Sequence, residues 1–152
     1  MKNKKFTIGF IISCLLIVTV LTVIHLSSRP EIPPHHVMLE RGDKIEYIDV
    51  DSFQMLNVEG ETVNQKGEIK KISGKGILLR NALAGIRSEN FDNALVISDD
   101  EYHASVTWYE IYDTDSVYLL REDDGIRLFI SEDNDSKRNV SNVVKIVLTT
   151  SE

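Results

Sequence analysis

"NALVISDDEYHASVTWYEIYD", Asn93 to Asp113, decides the fold. Two β-prone runs, "NALVIS" and "YHASVTW", flank the acidic "DDE", which reads as a hairpin. Strand alternation puts Tyr102, Ala104 and Val106 on one face and His103, Ser105 and Thr107 on the other. The pleat therefore disperses Asp99, Asp100, Glu101 and His103 instead of converging them on a metal, and Ser98 to Glu101 reads as a solvated turn. "WYEIYD" follows as a helical turn that closes the hairpin, with Trp108 and Ile111 facing the core and Tyr109 and Tyr112 nearer the surface. A triad can be drawn from Ser98, His103 and Asp113, but no G-x-S-x-G elbow supports it. If this region binds anything, the candidate ligand or partner surface is Tyr102, His103, Trp108, Tyr109 and Tyr112.

The surrounding pattern extends the β reading. "VMLE" and "IEYIDV" are short strands, and Asp51 stands where an N-cap would precede one helical turn through Met55. "GETVNQKGEIKKIS" reads as two strands about a turn at Lys66 and Gly67. "GILLRNALAG" spaces Leu78, Leu79, Ala82 and Leu83 for a short helix that Gly85 stops. "SVYLLR" and "IRLFIS" flank "EDDG" as a second hairpin, and "VSNVVKIVLTT" is a last strand. The expected class is α+β, a small β-rich domain with short helices.

The N-terminus points elsewhere. "MKNKK", residues 1–5, is a basic tail, and Phe6 to Ile24 holds no charged residue. That run is long enough to suggest a transmembrane anchor over 6–26, with the lysines cytoplasmic and the rest outside. A cleaved signal peptide would have a shorter apolar run and a better small-x-small site than "IHLSSRP". Cys14 sits mid-run, not at its end, so it reads as a small hydrophobe in the anchor and not as a lipidation site. The localisation expected on these grounds is the cell membrane, single-pass, with an extracytoplasmic domain at 37–152.

Residues 27–36, "SSRPEIPPHH", carry all three prolines and read as an extended stalk. His35 and His36 there read as solvated, because they lack the further donors that a tetrahedral metal site needs. Beyond the tail, fourteen basic residues face twenty-four acidic ones, a net charge of about −10, which argues against nucleic acid. Cys14 is the single cysteine, so 37–152 can form neither a disulfide nor a thiolate ligand. "SEDNDSK", Ser131 to Lys137, alternates Asp133 and Asp135 as a calcium loop does, yet Lys137 falls where a ligand is needed and no glycine follows. Asn134 and Asn139 head N-x-S triplets.

"GILLRNALAGI", "ALVISDDEYHASVTWYEI", "VYLLREDDG", "IRLFI" and "RNVSNVVKIVL", in that order, resemble the sulfite-oxidase-type molybdopterin-binding domain over Gly74 to Leu148. The resemblance implies a mixed α/β fold with irregular sheets and, in redox members, a molybdenum held by a pterin and one cysteine. This chain departs from it: it has no cysteine in the domain, Ser141 and Asn142 where the family has lysine and tryptophan, and about half the length. It reads as a shortened, non-redox relative with no catalytic, metal or cofactor-binding residues, a membrane-anchored module that binds a protein partner or small ligand. The alternative is a molybdopterin-dependent oxidoreductase or its accessory subunit.

Overall fold

The computed structural model describes residues 2–27, 32–63, 66–84, 91–131, 133 and 136–150, with backbone alone for 2–7, 25–27 and 136. The chain divides into two units, 1–31 and 32–152.

The first unit is one helix, α1 (Lys2–Ser27). Its described side chains run from Ile8 to Ile24 and are exposed. Among the described residues no helix is long and apolar enough to cross a membrane. This overturns the transmembrane anchor at 6–26, and with it the single-pass, cell-membrane placement.

The second unit corrects the α+β expectation: it is built of two β-sheets. Strands β1 (His36–Arg41), β2 (Lys44–Asp49), β5 (Asn93–Ser98), β6 (His103–Thr107) and β9 (Val143–Thr149) form a five-stranded sheet, ordered β2-β1-β9-β5-β6. Strands β3 (Leu56–Val63), β4 (Ile69–Leu78), β7 (Val117–Glu122) and β8 (Gly125–Ile130) form the other, ordered β3-β4-β7-β8. Every pairing is antiparallel except β1 with β9, which places the last strand at the centre of the first sheet.

Helices are minor because strands claim their residues. Leu78 ends β4, paired with Tyr118, so α2 keeps only Leu79–Ala82; Gly85, the expected stop, lies outside the described residues. A 3-10 turn, Val50–Ser52, replaces the helical turn expected through Met55. Asp49, not Asp51, caps it, accepting from the Asp51 amide at 3.0 Å. The helix α3 (Trp108–Asp113) forms where expected, held by a capping box between Thr107 and Glu110.

Alternation in both sheets sends one apolar set inward. Val37, Leu39, Val96, Val106 and Ile146 of the first sheet share one core with Ile77, Leu119, Ile126 and Leu128 of the second, joined by Leu79, Leu83, Phe91 and Ile111. Removing each such side chain from water contributes about 1.5–3 kcal/mol, enough to hold two sheets face to face without a disulfide.

A smaller cluster occupies the other face of the four-stranded sheet: Val58, Leu120 and Phe129, with Ile72 and Tyr118 against them. It exists because the β3–β4 hairpin overhangs its neighbour. Only Lys75 to Leu78 of β4 pair with β7, whereas Ile69 to Gly74 pair with β3. The free half bends over until Gly60 rests on the Phe129 ring, so close that a Cβ there would lie 2.6 Å from Cζ. Asn139 pins the bend, donating from Nδ2 to Thr62 Oγ1 at 2.9 Å. That engagement makes Asn139 a structural residue and removes it as a free glycosylation acceptor.

Candidate functional site

The hairpin forms over Asn93–Thr107 with the expected alternation, Ala104 and Val106 being buried. Its turn is not simply solvated. Ser98 is buried, its hydroxyl donating to Asp100 and to the Tyr102 carbonyl, and Asp100 accepts from the Tyr102 amide at 3.1 Å. These donors, Ser98 first, hold the Asp100 carboxyl below its ordinary value. The turn therefore keeps its full contribution above the usual carboxylate range and loses it as pH falls through that lowered value.

The five surface candidates do not converge. Tyr102 reaches across to donate to the Lys137 carbonyl. His103 points to the opposite side of β6, its Nδ1 3.3 Å from the Glu101 carbonyl. Trp108 and Tyr112 are partly buried and stack on each other at 5.1 Å, and Tyr112 donates to Leu83 O at 3.1 Å. Burial pushes the Tyr112 phenol up. Tyr109 stands exposed on α3.

Beside them Arg138 locks α3 to the segment after β8, contacting Glu110 Oε1 at 2.6 Å and Asp133 Oδ2 at 3.0 Å. The second contact is an ion pair outside hydrogen-bond geometry. With carboxylates on two sides of its guanidinium, Arg138 is a structural bridge and a poor anion site.

Trp108 Nε1 is a buried donor that meets no described acceptor. Such an orphan costs about 1–3 kcal/mol. Trp108→Phe removes it while keeping a ring on Tyr112, so the lost area and the relieved donor offset each other. We expect the variant within about 1 kcal/mol of the native chain in urea unfolding. A loss above about 2 kcal/mol would show that the indole N–H has a partner.

The outer face of the five-stranded sheet gathers residues that the sequence reading left apart. Register aligns Tyr47, Met38, Lys145, Ile97 and His103 in one row, and Ile45, Glu40, Val147, Leu95 and Ser105 in the next. Tyr47 and Ile45 are 54% and 57% exposed, and Met38, Leu95, Ile97 and Val147 are half-buried. Glu40 and Lys145 pair at 2.9 Å in its middle, which neutralises the two charges that would otherwise interrupt an apolar surface. His103 is the one earlier candidate that belongs to it.

A second constellation lies where the proline stretch enters the domain. His35 is not solvated: its side chain is 12% exposed. Nδ1 lies 2.8 Å from Asp51 Oδ2 and Nε2 lies 3.1 Å from the Glu122 carbonyl. Arg121 Nε is 2.9 Å from Asp51 Oδ1 and 3.3 Å from His35 Nδ1. An open hollow of about 190 Å³ adjoins, lined by Pro33, His36, Asp99, Asp124 and Asn142 among others. Among the described residues no three His, Cys, Asp or Glu side chains are placed to hold a metal ion.

No family model matches the chain, and no curated protein matches it. What the fold and these surfaces define is a small two-sheet β-domain with an open sheet face. The donor set bears on molybdopterin directly: from Ile32 to Glu152 there is no cysteine, so this unit offers no thiolate for a molybdenum centre, and the residues present do not fit it.

Proposed function

We propose that the domain Ile32–Glu152 is a non-catalytic binding module that engages a protein partner through the outer face of its five-stranded sheet. The observation that supports this reading most is that register places Ile45, Tyr47, Met38, Val147, Leu95 and Ile97 on one face around the Glu40–Lys145 ion pair, with Ile45 and Tyr47 exposed and the other four half-buried. Contiguous apolar surface of this kind marks interaction sites, and tyrosine supplies contact area with few rotamers to freeze. The hollows are open and shallow where a small-molecule site would be a cleft enclosing most of its ligand.

A photo-crosslinking residue at position 47 of the full chain should capture a partner protein in intact cells. The same residue at position 109, more exposed still but on α3, should not. Capture from position 109 with none from position 47 would move the binding surface to the α3 side and end this reading.

A further inference from the structure

We propose that β2 is the seat of a symmetric dimer, in which the Lys44–Asp49 strands of two copies pair antiparallel and join their five-stranded sheets into one. β2 ends its sheet, paired with β1 alone. An edge strand presents unpaired amides and carbonyls, and proteins ordinarily blunt it with proline, a bulge or a covering segment. The other edges here are engaged. On β8 the Leu128 amide donates to the Val140 carbonyl at 2.8 Å, and on β6 the Thr107 amide donates to Glu110 Oε2 at 2.8 Å. β3 is tied through Thr62 to Asn139. β2, "KIEYID", has neither proline nor glycine, and its register with β1 runs without a shift.

Hydrogen-bond parity decides which backbone groups face outward. The two-residue turn at Gly42 and Asp43 makes Arg41 and Lys44 a bonded pair, and bonded pairs recur at every second position. The Val50 amide, donating to the His35 carbonyl at 3.0 Å, continues the same series. Lys44, Glu46 and Ile48 therefore turn their backbone groups to β1. Ile45, Tyr47 and Asp49 turn theirs to the open edge.

These outward positions are symmetric about Tyr47. A two-fold axis there sets Tyr47 against Tyr47 of the second copy and Ile45 against Asp49 of the second copy, each pair sharing a face. Each Tyr47 amide then donates to the other copy's Tyr47 carbonyl, and each Asp49 amide to the other copy's Ile45 carbonyl. The Asp49 carbonyl stays with Ser52 Oγ, which donates to it at 2.6 Å. The tyrosines on the axis form a cross-strand aromatic pair, and no like charges stand directly opposite. Glu46 and its copy meet only on the diagonal, where both are exposed to water. Moving the axis to Glu46 would set that carboxylate directly against its copy. Moving it to Ile48 would bring Ile45 against the 3-10 turn Val50–Ser52. The strand is thus complementary to itself in one register, which makes a second copy the partner it fits.

With the axis perpendicular to the sheet, both outer faces point the same way and Tyr47 of each copy meets at the middle. The inference concerns the edge and not that face. It is read on the purified chain alone, so its failure leaves the outer-face reading standing. Crosslinks from position 47 to a second copy are told from capture of another protein by their peptide masses.

Amide hydrogen exchange of the full chain at high and low concentration reads the edge. Tyr47 and Asp49 should exchange at least about tenfold more slowly in the concentrated sample, whereas Glu46, bonded to β1, should not change. Tyr47→Lys sets two cations against each other on the axis and should abolish that dependence. Ile45→Lys sets each new cation against Asp49 of the other copy and should keep or deepen it. Both native side chains are exposed, and protection of the Glu46 amide reports that each variant is folded. Tyr47 and Asp49 amides indifferent to concentration in the native chain overturn the dimer. So does a dependence that survives Tyr47→Lys, or one that Ile45→Lys removes as completely as Tyr47→Lys does.

Discussion

Phe129→Ala is expected to cost about 3–5 kcal/mol, a large share of what a domain of this size has to lose. Phe129 is fully buried, yet it lies on the face of the four-stranded sheet away from the main core. Its partners are Val58, Leu120 and, above all, the bare backbone of Gly60 on the overhanging half of the β3–β4 hairpin. Removing the ring deletes transfer energy and leaves the overhang with nothing to rest on except the Asn139–Thr62 bond. The second half of the expectation is a change of sign. Gly60→Ala in the native chain drives a Cβ to within 2.6 Å of Phe129 Cζ and should destabilise by about 1–3 kcal/mol. In the Phe129→Ala background the space is open, and alanine in a strand is better than glycine, so the same change should be neutral or favourable. A urea double-mutant cycle measures the coupling. Additive effects would mean that the hairpin does not bend over Phe129.

The overhang was not legible in the sequence, and the reason is physical. The hairpins about Asp99–Glu101 and Asp123–Asp124 were legible because strict alternation and local turn chemistry lie within a few residues of each other. The bend of β3–β4 depends on Phe129, some seventy positions from Gly60, and alternation reveals which face a residue takes without saying what covers that face. The helix expected over Leu78 to Leu83 shrank to four residues because the leucines at helical spacing also suit a buried strand end, and tertiary pairing with Tyr118 decided between them. His35 shows the same limit in the candidate site. Beside two prolines a histidine pair reads as solvated, and its partners come from the turn after β2 and from the end of β7. The outer sheet face was likewise invisible, since Tyr47, Val147 and Leu95 become neighbours only through the insertion of β9 between β1 and β5.

Two glycines in one strand should respond in opposite ways. Gly74 and Gly76 both belong to β4, two residues apart, and therefore on the same face. A Cβ on Gly76 would stand 2.6 Å from the Leu119 carbonyl oxygen, 2.7 Å from Leu120 Cδ2 and 3.0 Å from Leu120 Cα. Two of these three neighbours are backbone atoms of β7, paired to β4 through Gly76 and Leu120 themselves, so they cannot swing aside as a side chain could. Gly76→Ala must push the central pair of the sheet apart, at an expected cost of about 3 kcal/mol, the upper end for an overpacked core. A Cβ on Gly74 meets nothing within 4 Å, since β7 no longer accompanies β4 there. Gly74→Ala loses only the extra freedom of glycine in the unfolded chain and should stabilise by about 0.4–1 kcal/mol. Thermal or urea unfolding of the two variants checks the contrast. Equal effects at both positions would show that β4 and β7 are not paired in this register.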